Sequence, residues 1–109
     1  AYNFGPNENE NYSVEEVITE MRKYWKKVNW EKYNSKKIDF PEAGLLKLNC
    51  EKAFNHLEWT STLNFSETIK FTIDWYKHFL NEDEMYNYSI LQIKRYTSLA
   101  RKRNQQWVI

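Results

Sequence analysis

Apolar residues recur at helical spacing in three stretches of this chain. Val14, Val17, Ile18, Met21, Trp25 and Val28 form one such face, which predicts a helix over roughly 13 to 27. Ser13-Val14-Glu15-Glu16 has the form of a capping box at its start, with a hydroxyl and a carboxylate placed to satisfy free amides of the first turn. Ile69, Ile73, Tyr76 and Leu80 mark a second face, capped by Ser66 and ended by the acidic run at 81–84. Ile90, Ile93, Thr97 and Ala100 mark a third, introduced by Ser89-Ile90-Leu91-Gln92, another capping-box match. Asn49 or Cys50 opens a short helix to about Leu57, with Ala53 and Leu57 facing inward. The rest reads as short strands and loops. Tyr2 to Phe4 is a strand end running into a loop with Gly5 and Pro6. Trp30 and Tyr33 suggest a second strand, and Ser35 to Asp39 a polar loop. Pro41 and Gly44 bracket a turn before a strand over Leu45 to Leu48. The expected architecture is one small α+β domain, mostly helical, over residues 1–109.

Composition sharpens this picture. At 109 residues the chain is long enough for one core but not two. It is 41% hydrophobic and 17% aromatic, which argues for folding despite a mean hydropathy of −0.87. The core is therefore expected to use a few large side chains with polar tips at its edge. No apolar run approaches the ~18 residues of a membrane span. The net charge of +1 carries no general signal for a polyanion. Cys50 is the only cysteine, so an internal disulfide is excluded and a cytoplasmic setting is expected. A helix start at Cys50 can lower a thiol pKa, but a small half-buried residue accounts for it more simply.

Several chemistries are excluded or unsupported. A dinucleotide or P-loop site needs a glycine-rich turn so that backbone can approach phosphate at a helix start. The two glycines here, Gly5 and Gly44, stand far apart. His56 and His78 have no cysteine or carboxylate at metal-ligand spacing beside them, whereas zinc needs three or four convergent ligands. Lys94, Arg95, Arg101, Lys102 and Arg103, with Trp107, are the one hint of nucleic acid. On a terminal helix they are better read as a solvated face suited to the C-terminal half of the helix dipole, so no nucleic-acid partner is expected. The competing class is a stand-alone interaction or nucleic-acid-binding module using that basic helix.

The order of motifs along the chain resembles the C-terminal part of extended short-chain dehydrogenase/reductases acting on nucleotide sugars, in particular the CDP-glucose 4,6-dehydratase branch. Asn3-Phe4-Gly5-Pro6 is similar to that family's strand-to-loop segment beside the bound nucleotide, and Ser13-Val14-Glu15 to the helix start after it. Glu42-Ala43 with Leu46-Lys47-Leu48, Lys52-Ala53, Leu57-x-Trp59 and Trp75-Tyr76 follow in the family's order. Met85, Gln92-Ile93 and Tyr96 resemble the tail of the branch. Four residues depart from it. Glu58 stands where the family has glycine in Leu-Gly-Trp, Ser61 replaces a proline, and Asp39-Phe40 replace a basic residue or histidine before Glu42. If the glycine position is left-handed, Glu58 carries a penalty of roughly 1 kcal/mol or more.

The resemblance implies that this is the substrate-binding portion of an NAD-dependent enzyme whose N-terminal Rossmann domain lies outside these residues. In a complete enzyme of this kind, NAD takes hydride from C4 of the glucose, water is lost across C5 and C6, and hydride returns to C6. The product feeds deoxysugar and surface-polysaccharide synthesis. These residues are expected to bind a nucleotide sugar, to hold no cofactor and to be catalytically inactive alone. Glu42, a carboxylate in a Pro/Gly turn, either accepts two hydrogen bonds from a ribose diol or serves its own turn by capping it or pairing with Lys47. The resemblance lifts the diol reading level with the structural one. Gly5, Pro6 and Asn7 are expected on the rim of the same pocket. Tyr33-x-x-x-Lys37 matches the family's catalytic pattern by letters only. It falls in a polar loop in the wrong region of the chain, and is set aside.

Overall fold

The computed structural model of the chain describes residues 1–7, 9–31, 48–81 and 83–108. Among them are the helices α1 (Val14–Tyr24), α2 (Glu51–Leu57), α3 (Phe65–Leu80) and α4 (Met85–Lys102). The described residues contain no strand, so the α+β expectation is corrected to all-α. A strand needs a neighbouring backbone to pair with, and Tyr2 to Phe4 find none among the described residues. Their rings supply the anchoring instead: Phe4 meets Trp59 edge-on with centroids 4.9 Å apart, and Tyr2 meets His56 at 5.9 Å. Trp30 and Leu48 are likewise irregular. Glu42, Tyr33, Lys37, the 35–39 loop, the Pro41/Gly44 turn and Leu45 to Lys47 lie outside the described residues.

α3 is the central helix, packing on α1 and on α4. Ile73, 1% exposed, sits at its middle, and Ala53 of α2 and Ala100 of α4 are fully buried. The contacts of α3 with α4 run antiparallel. The Trp75 indole N–H donates to Ser89 Oγ at 3.1 Å, Gln92 Nε2 donates to the Phe71 carbonyl at 2.8 Å, and Arg103 reaches Glu67. On the other side, Ser66 Oγ donates to Glu20 Oε1 of α1 at 2.6 Å and hydrogen-bonds the Tyr24 hydroxyl. Lys77 Nζ donates to the Tyr24 carbonyl at 3.1 Å. Lys23 completes this latch with an ion pair to Glu20 at 2.5 Å.

The helix boundaries follow from local chemistry. Ser13 and Glu16 form the expected box: the Glu16 amide donates to Ser13 Oγ at 3.2 Å, and the Ser13 amide to Glu16 Oε2 at 2.7 Å. α1 stops at Tyr24 rather than near 27, because Trp25 turns extended at φ −146°. α3 is capped by Asn64, not Ser66. Asn64 and Glu67 form the reciprocal box, and Ser66 is committed to Glu20. α4 starts at Met85 with Glu84 as its cap, four residues before the expected start at Ser89. Several positions expected inside are outside: Val14, Leu57, Tyr76, Leu80 and Ile93 are all exposed.

Candidate functional site

A cavity of about 710 Å³ opens between the N-terminal loop, the 59–63 segment and the N-terminal half of α3. Its walls are aromatic: Phe4, Tyr12, Trp59, Phe65 and Tyr96. Two of these form one stack, Tyr12 lying on Phe65 with centroids 3.6 Å apart and planes 12° from parallel. Tyr12 precedes the cap of α1 and Phe65 follows the cap of α3, so the stack joins two helix starts at the cavity edge. Tyr96 is backed by Trp107 at 5.6 Å.

The loop wall consists of Gly5, Pro6 and Asn7. These three loop residues are the ones expected on the rim of a pocket shared with Glu42; they line this cavity, and Glu42 lies outside the described residues. Asn3 Nδ2, donating to the Asn49 carbonyl at 3.2 Å, ties the loop to the start of α2. The Glu10 amide closes a turn by donating to the Asn7 carbonyl at 2.9 Å, which brings Glu10 into the lining. A Cβ added at Gly5 would sit 3.5 Å from Cys50 Sγ and Leu48, an ordinary contact, so this glycine is not required by crowding. Leu48 lines the cavity six residues after Glu42.

The opposite wall is held from the residues just after α4. Thr60 Oγ1 hydrogen-bonds Gln105, and Arg103 donates to the Thr62 carbonyl. Ser61 Oγ donates to the Leu63 carbonyl at 3.1 Å. The chain enters this wall through Glu58, whose φ of 52° is left-handed. Its amide donates to the Phe54 carbonyl at 2.8 Å and that of Trp59 to the Ala53 carbonyl at 3.3 Å. Glu58 therefore has the backbone that favours glycine, and the turn aims the Trp59 ring at Phe4.

Charge is sparse in this cavity. Glu10 is the one ionisable acid among its described lining residues, and no lysine or arginine is among them. The shifted carboxylates lie elsewhere and serve structure. Hydrogen bonds from Ser13 hold Glu16 below the ordinary carboxylate value. Those from Lys23 and then Ser66 do the same for Glu20, and those from Arg103 and the Asn64 amide for Glu67.

The starts of α1, α3 and α4 are occupied by their own capping carboxylates, Glu16, Glu67 and Glu84. No group of three potential metal ligands occurs among the described residues. His56 faces Tyr2, and His78 stacks on Tyr88 at 3.7 Å with Nδ1 3.0 Å from the Asp74 carbonyl. Cys50 Sγ lies 3.8 Å from the Leu48 carbonyl, with neither histidine recorded against it. No described helix is long and apolar enough to cross a membrane.

Sequence reasoning missed Glu10, Tyr12 and Phe65 as cavity residues. Tyr12 was legible in principle, because an aromatic immediately before a capping box commonly packs across the first turn. No protein-family model matches this chain, and no curated protein or solved structure matches it.

Proposed function

We propose that this chain is the nucleotide-sugar-binding portion of an NAD-dependent, cytoplasmic CDP-glucose 4,6-dehydratase, and that the aromatic cavity receives the nucleoside end of the sugar nucleotide. One observation carries the reading: Gly5, Pro6 and Asn7, singled out by their resemblance to the family's nucleotide-side loop, line a cavity walled by Trp59, Phe4 and Tyr96. A cavity of about 710 Å³ has the capacity of a small-molecule site. Flat aromatic walls offer a base the stacking that fixes its plane. The contribution of these residues is to bind and orient the substrate; hydride and proton transfer belong to the Rossmann domain of the complete enzyme. The chain is inactive alone in this reading.

The test is a titration of the ¹⁵N-labelled chain with CDP-glucose, UDP-glucose and CDP. Saturable shifts at Gly5, Asn7 and the Trp59 indole N–H are expected. Shifts confined to Lys94, Arg95 and Lys102, produced by an RNA control and not by sugar nucleotides, would instead assign the chain to a nucleic-acid-binding module.

A further inference from the structure

We infer that the outer groove between α3 and α4 is a second ligand site, one that takes a phosphate monoester carried on an aromatic body. It shares no described lining residue with the aromatic cavity, so it holds independently of the nucleoside reading.

The sequence of α4 departs from that of a solvated helix face. None of its 18 residues is acidic, while Lys94, Arg95, Arg101 and Lys102 are basic. A solvated face usually interleaves the two signs at i,i+4, and the chain as a whole carries a net charge of only +1. The helix dipole favours a cation within the last turn. That accounts for Arg101 and Lys102, but not for Lys94 and Arg95, about two turns earlier.

The structure divides this basic cluster. Arg103 is taken by Glu67. Lys94, Arg95 and Lys102 instead frame one cavity of about 400 Å³ with the Ser98 hydroxyl, over a half-buried floor of Phe71 and Leu99. No acid lines it among the described residues, and none of the three cationic side chains has a hydrogen bond or ion pair among them. Phe71 also lines the neighbouring cavity, with Trp75 and the exposed Tyr76. The polar side chains there are engaged, Thr72 with the Thr68 carbonyl and Gln92 with that of Phe71. The two cavities therefore make one groove, cationic at one end and aromatic at the other. A phosphate monoester carries about two negative charges at neutral pH and three acceptor oxygens. A guanidinium meets it bidentately, while the ammoniums and the hydroxyl take what remains. An aromatic body attached to it lies over Phe71 toward Trp75 and Tyr76, gaining ring contacts that a free anion lacks.

The experiment is an NMR titration of the full chain with inorganic phosphate and with phenyl phosphate, for the natural protein and for Arg95→Gln. Phenyl phosphate should shift Arg95, Ser98 and Lys102 saturably together with the Trp75 indole N–H, and bind about 3- to 10-fold more tightly than phosphate. Arg95→Gln should weaken it about tenfold or more. Arg95→Lys, which keeps the charge without the fork, should weaken it less. Unchanged amide shifts at Ile73 and Ala100 confirm that both variants are folded. Gly5, Asn7 and Trp59 report the other cavity, so the two sites are read separately. Equal affinity for the two probes, or unaltered binding in Arg95→Gln, overturns the inference. So does the absence of a saturable shift at about 10 mM, weaker than any millimolar site. An RNA oligonucleotide that shifts the same residues when phenyl phosphate does not would give the groove to a nucleic-acid strand instead.

Discussion

Arg103 grips Glu67 through two parallel hydrogen bonds, Nη1 to Oε2 at 2.8 Å and Nη2 to Oε1 at 2.6 Å. The same carboxylate accepts the Asn64 amide that starts α3, and the same guanidinium donates to the Thr62 carbonyl behind the cavity. One pair thus fixes a helix cap and a cavity wall together. Arg103→Lys keeps the charge but loses the fork geometry. The pair is partly exposed, so the expected loss is at most about 1 kcal/mol, read as a small fall in Tm. Binding at the cavity should weaken more than this stability loss implies, because the 59–63 wall loses its tie.

Acid should unfold this chain through Glu16, Glu20 and Glu67. Each is held below the ordinary carboxylate value of 4.5 in the folded state. A depressed folded pKa contributes stability that is complete above the unfolded value and is lost as pH falls through the folded one. Denaturant midpoints should therefore be flat from neutrality to about pH 5 and fall below it. Glu20→Gln should flatten part of that fall. Lys23 behaves oppositely, since its hydrogen bond to Glu20 raises it above 10.5. Its contribution is present below that value and lost as pH climbs through the folded pKa. A midpoint unchanged down to pH 3 would mean these carboxylates hold nothing.

Glu58→Gly should stabilise the protein. A left-handed φ of 52° is strained for a residue with a Cβ and free for glycine. The expected gain is about 1 kcal/mol, measured as a rise in Tm. Asn104 has the same φ, but Asn tolerates this region, so Asn104→Gly should gain much less.

Thr62→Val is the converse case. Thr62 is 4% exposed, and its Oγ1 is buried without a hydrogen-bond partner among the described residues. Valine keeps the shape and removes the unsatisfied hydroxyl. Stability should be unchanged or higher by about 1 kcal/mol, in contrast to the loss expected for altering a hydroxyl that has a partner.

The sequence was most legible where a signal depends only on near neighbours. The Ser13/Glu16 box, the end of α2 at Leu57 and the stop of α3 before the acidic run are all local, and all are present. Ser89 and Gln92 show why the same signal misled elsewhere. They have the letters of a capping box, but both side chains are drawn across to α3, by the Trp75 indole and the Phe71 carbonyl. That competition cannot be seen along the chain. Periodicity likewise gave the faces of α3 and α4 but not their extent of cover. Ile93 shares a face with Ala100, seven residues on, yet Ala100 is buried and Ile93 is not. For the site, the loop was readable as glycine, proline and asparagine in sequence. Phe65 and Tyr96 join it only because α3 and α4 fold back beneath it.

The end of α4 closes as a wound turn: the Gln105 amide donates to the Ala100 carbonyl and the Asn104 amide to that of Arg101, both at 3.0 Å. Gln105 then hands its side chain to Thr60, between the cavity residues Trp59 and Ser61. If the cavity binds a nucleoside as proposed, its occupancy should be coupled to fraying of the turn after α4. A bound nucleoside should slow deuterium uptake at Asn104 and Gln105, and clipping the tail there should loosen a pocket formed largely by residues dozens of positions earlier.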